Sequence, residues 1–165
     1  MPAITYSGEI VKKYFYLAPA IGALLLTGCT TPKTPEQYRE AIRNYPLGTT
    51  VETLNVDRSL SEVSKDFRER APKCLNVDVT KTLWNGSMYQ TVLVQYRGTV
   101  VENPEKTELY IQDKQDYIMV IDAAAVAKDK TEVTLYRASF GYDLLVSAVK
   151  GWATGENLGC PALAQ

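Results

Sequence analysis

The sequence predicts an α+β fold: an antiparallel sheet of about five to six strands packed against helices, with a long apolar helix at the C-terminal end. Three observations predict it. Apolar residues recur at helical spacing near both ends of the globular part and at a spacing of two through its middle. The middle is divided by short turn signals at Asn85-Gly86, Asn103-Pro104, Lys114-Gln115 and Lys128-Asp129-Lys130. Gly141 to Thr154 is apolar around most of its circumference, as a mostly buried helix is. Runs of strands with helices at the ends fit a layer of helices on one face of an antiparallel sheet.

In chain order, Thr34-Pro35-Glu36-Gln37 predicts a helix start, with Thr as N-cap and Pro at the first helical position. Tyr38, Ala41, Ile42 and Tyr45 make its apolar stripe, and Pro46 and Gly48 stop it. Thr49 to Asp57 reads as a strand. Ser59 to Glu62 reads as a capping box opening a helix lined by Leu60, Val63, Phe67 and Ala71, which Pro72 ends. Leu75, Val77, Val79 and Leu83 then alternate with polar residues, and Asn85-Gly86 predicts a two-residue hairpin turn. The return strand carries Val92, Val94 and Tyr96 on one face and Leu93 on the other. After a short strand from Glu108 to Gln112, the stretch Asp116 to Ala127 is apolar on both faces, which predicts a central strand covered on both sides. Val133 and Leu135 mark the last strand. Tyr142, Leu145, Val146, Val149 and Trp152 stripe the final helix, with Gly155 as a left-handed cap.

Ahead of this domain, Lys12-Lys13 precedes an apolar run of thirteen residues from Tyr14 to Leu26, closed by Leu26-Thr27-Gly28-Cys29. A transmembrane helix needs about 20 apolar residues, and Pro19 and Gly22 interrupt this shorter run. A basic start, an apolar middle and small residues before a cut site form a secretory signal peptide. Its last four residues resemble the lipobox of bacterial lipoproteins. That resemblance implies a diacylglyceryl group on the Cys29 sulfur, cleavage between Gly28 and Cys29, and acylation of the freed amine. The chain then divides into a signal peptide (1–28), a lipidated N-terminus and tether (29–35) and a single α+β domain (36–165). Met1 to Ile10 carry Glu9 and no basic residue, so the expected start of translation is Val11. The resemblance also implies outer-membrane sorting facing the periplasm, because Thr30 rather than Asp follows the cysteine. The order of elements from Thr49 to Gly155 resembles the helix-grip fold of START-like proteins, which implies a sheet curved around the C-terminal helix and a cavity for a lipid-like ligand.

With Cys29 taken by lipid, Cys74 and Cys160 remain, and an exported pair reads as a disulfide, the alternative being two buried thiols. The chain has no histidine, which removes the commonest general base and metal ligand, and two cysteines cannot complete a tetrahedral metal shell. No nucleophile elbow, phosphate loop or calcium loop is present. A net charge of −1, with no basic run longer than two, gives nucleic acid little to hold. Asp122 stands out inside an apolar strand, where a carboxylate pairs with an arginine, Arg97 or Arg137, or has its pKa raised for catalysis. Asp143 suits the first turn of a helix. These features predict no cofactor and no enzyme. They predict a lipid-anchored envelope protein that binds a protein partner; the alternative is a carrier of a lipid-like ligand, held by Tyr142, Leu145, Val149 and Trp152.

Overall fold

The computed structural model describes residues 31–45, 47–84, 86–156 and 159–163. The signal segment, Gly28 and Cys29 lie outside the described residues. From Pro32 onward the chain forms one compact unit. Its elements are α1 (Pro35–Asn44), β1 (Thr49–Val56), α2 (Leu60–Leu75), β2 (Val77–Trp84), β3 (Tyr89–Glu102), β4 (Lys106–Asp113), β5 (Asp116–Ala127), β6 (Lys130–Ala138) and α3 (Asp143–Thr154). Six strands form one antiparallel sheet in the order β1-β6-β5-β4-β3-β2, so the α+β class is borne out. The strands from β2 to β6 are a meander, and β1 joins it beside β6.

Local chemistry sets the helix ends. Thr34 caps α1 by accepting a hydrogen bond from the Gln37 N–H at 3.2 Å. Ser59 and Glu62 form a reciprocal capping box at the start of α2. Gly155 closes α3 with φ +81°, and the Arg58 guanidinium donates to the carbonyls of Trp152 and Ala153 there, a cation at the negative end of the helix.

One face of the sheet carries the main core. Val63, Phe67, Ala71 and Leu75 of α2 and Leu145, Val149 and Trp152 of α3 pack with Leu109, Ile121 and Leu135 of the sheet. The other face takes α1: Tyr38 and Ile42 pack with Val120 and Tyr136, the residues alternating with that core along β5 and β6. The helices therefore lie on both faces rather than one. Covering by α1 is what makes β5 apolar on both sides. A register shift opposite Ile111 and Gln112 places Ile118 as the extra residue of a bulge on β5, and its carbonyl accepts from the Tyr38 hydroxyl at 2.7 Å.

Two boundaries differ from the sequence expectation. Pro72 does not end α2, which continues to Leu75. A proline late in a helix removes one backbone bond at a cost of about 3 kcal/mol; burying Cys74 and Leu75 in the core offsets it, at about 2 kcal/mol for a fully buried leucine. The β2–β3 connection has four residues, 85–88, rather than two. Trp84 and Tyr89 face each other across the ribbon with ring centroids 4.9 Å apart, which closes the strands before Asn85-Gly86 is reached.

The two halves of β3 have different neighbours. Tyr96 to Glu102 pairs with β4, whereas Tyr89 to Gln95 pairs only with β2. The β2–β3 hairpin therefore projects past the sheet as a two-stranded arm of roughly 20 Å.

Candidate functional site

The residues expected to bind a ligand separate into two environments. Val149 and Trp152 lie in the packed core with no exposure. Tyr142 and Leu145 line a half-open pocket of about 210 Å³ at the base of the arm, with Lys81, Tyr96, Asp143 and Leu163. Lys81 stands 5.5 Å from the centre of the Tyr96 ring, a cation–π contact. Burial, with Tyr96 and Asp113 nearby, raises the Tyr142 hydroxyl above its ordinary range. A drug-sized ligand needs about 300–1,000 Å³, so this polar-rimmed pocket suits a small group. Asp143 occupies the first turn of α3 as expected.

Cys74, at the end of α2, is joined to Cys160, and the chain beyond it places Leu163 in the core. The bond ties the C-terminal segment to the end of α2.

The most polar buried cluster lies under α1. Asp122 of β5 meets neither Arg97 nor Arg137. Arg97 pairs with Asp78 at 2.8 Å, and Arg137 donates to the carbonyls of Ala138 and Ser139. Its partner is Arg39 of α1 at 2.6 Å, and Arg39 also donates to Glu108 and Glu36. Asp122 projects toward the face that α1 covers, so its arginine comes from the helix and not from a neighbouring strand. Sequence reasoning missed Arg39 and Glu108; the only signal was a second carboxylate, Glu108, directly before the apolar Leu109-Tyr110-Ile111 of a strand. Burial raises the Glu108 carboxyl, but hydrogen bonds from Lys106 and Tyr110 and the Arg39 charge outweigh it, and its pKa lies below the ordinary 4.5. Burial and the bond to Glu108 push the Tyr110 hydroxyl up. The cluster thus favours the ionised Glu108 carboxylate and the protonated Tyr110 hydroxyl. It locks α1 to the sheet.

Exposed apolar side chains concentrate at one end of the sheet. The arm, the β4–β5 turn, the α1–β1 loop and the β6–α3 loop all lie there. Leu47 is 95% exposed and Phe140 81%, on loops joined by the Ser139 N–H donating to the Gly48 carbonyl at 2.9 Å. Tyr45 adds to them, and the arm carries Trp84, Met88, Tyr89 and Leu93, all exposed.

No protein family matches the chain, and no curated protein is similar to it. Among the described residues no helix is long and apolar enough to cross a membrane, and no group of three or more Cys, Asp or Glu is arranged to hold a metal ion.

Proposed function

We propose that this chain is an outer-membrane-anchored lipoprotein that acts without catalysis, binding a protein partner or envelope assembly through the apolar end of its domain. One observation carries the binding: Leu47 and Phe140 stand almost fully exposed on two joined loops, while the interior is packed with Trp152, Phe67 and Leu145. Exposed apolar groups gathered at one site mark an interaction surface, and aromatic side chains supply most of the binding energy there. The anchor is supported by the Lys12-Lys13 start, the apolar run and Cys29. Two or more acyl chains hold a protein stably on a bilayer. Thr30 to Thr34 then allow a reach of roughly 15 Å. The absence of histidine and the pairing of Asp122 and Glu108 with Arg39 support a non-catalytic role. The carrier reading rests on the pocket at Tyr142 and Leu145, which is smaller than a lipid-like ligand needs.

The test places a photo-crosslinking residue at Leu47 or Phe140 of the full chain in living cells. A discrete crosslinked protein is expected at these positions and not at exposed Lys65 of α2. Equal labelling at all three positions, or none, contradicts the reading.

A further inference from the structure

The arm poses a backbone problem of its own. In an antiparallel ladder the N–H and C=O of successive residues point alternately to the two sides. The Lys114 N–H donates to the Gln95 carbonyl at 2.9 Å and the Gln95 N–H donates to the Asp113 carboxylate at 2.8 Å, so Gln95 points toward β4. By alternation Leu93, Thr91 and Tyr89 point to the same side, where β4 has already turned away. Among the described residues no strand lies beside their backbone groups. Exposed edges of this kind are ordinarily protected by charged side chains or proline. The two strands at the ends of the sheet do carry charges in sequence, Asp78 and Lys81 on β2 and Glu52 on β1. From Thr82 to Tyr96 no residue is charged and none is proline.

We infer that a second copy of this chain fills this edge, the two arms pairing antiparallel about a two-fold axis at Thr91. The register follows from the limits of the slot. The hairpin connection closes it at Ser87 and the β4–β5 turn closes it at Gln95, and Thr91 lies midway between. A pair centred there sets each arm's tip against the other's β4–β5 turn, so both slots are filled end to end. Tyr89 then faces Leu93 of the second copy, and Thr91 faces its own counterpart, aromatic–aliphatic and Thr–Thr pairs that favour a sheet. Trp84 beside Tyr89 extends the apolar row on the same face. A two-fold contact brings each residue near its own copy, so a charged edge would repel itself; this one carries no charge. Confinement on one membrane surface raises the effective concentration for such a short interface.

The test uses the full chain in cell membranes with Thr91→Cys. At a hydrogen-bonded pair the two Cα atoms lie about 5.5 Å apart, within disulfide range. Mild oxidation is expected to convert most of the chain to a species of twice the mass. A control, Thr53→Cys on the exposed part of β1, is expected to stay single. In detergent, sedimentation of the otherwise unaltered chain is expected to show a concentration-dependent dimer, and Thr91→Lys to weaken it at least about tenfold by like-charge repulsion. Thr91 is exposed and its N–H lies on the open edge, so both variants keep every bond within the fold. Cross-linking of Thr91→Cys to a protein of another mass, or a single species with Thr91→Lys indistinguishable from the unaltered chain, overturns the inference.

Discussion

Arg39 of α1 donates to Asp122 of β5 at 2.6 Å across 83 residues of sequence. Glu108 and Asp122 are direct cross-strand partners, an arrangement that repels unless a cation stands over it. Arg39 is that cation, and its own side chain is 8% exposed. Removing one member of a buried ionic cluster costs about 3–5 kcal/mol. Arg39→Met is therefore expected to lower the unfolding free energy, read from urea denaturation, by that amount. Asp122→Asn, which leaves Arg39 on Glu108, is expected to cost less.

Glu108 has a lowered pKa in the folded state. Such a group stabilises the fold fully above its unfolded value of about 4.5 and loses that contribution as pH falls through the lower folded value. Urea unfolding at pH 7 and at pH 3 checks the sign. The unaltered chain is expected to lose more stability between the two than Glu108→Gln does.

Gly98 of β3 lies against α2. A Cβ there would stand 2.9 Å from the Leu75 Cβ and 3.2 Å from the Ala71 carbonyl oxygen. Neither atom is the end of a flexible side chain, so helix and strand must separate. Gly98→Ala is expected to cost about 1–3 kcal/mol, read from thermal unfolding followed by circular dichroism.

Joining Cys74 to Cys160 closes a loop with a sequence separation of 86. In the chain-entropy model this is worth about 4–5 kcal/mol. Cys160→Ser is expected to lose much of it, with proteolysis beginning after Gly155 as Leu163 leaves the core. Limited digestion with mass analysis reads both.

The fold was readable where one residue's neighbours are local or periodic. Thr34 and Ser59 announce helix starts through bonds three residues away, and the two-faced apolar pattern of Asp116 to Ala127 announces a covered central strand. Cover by α1 on the second face was not readable, because the stripe of Tyr38 and Ile42 does not say which layer it meets. Arg39 hides for the same reason: beside that stripe it looks like a surface cation until Asp122 and Glu108 are seen under it. Pro72 misled because a local backbone penalty was outweighed by burial of Cys74 and Leu75. The arm depends on where β4 turns away from β3, a relation between Asp113 and Tyr96 that no alternation pattern carries.

The anchor is tested most directly by the intact mass and N-terminal peptide of the chain extracted from membranes. A first residue of Cys29 bearing a diacylglyceryl thioether and an acylated amine is the expected result. A chain that begins upstream of Cys29 and carries no acyl group contradicts it.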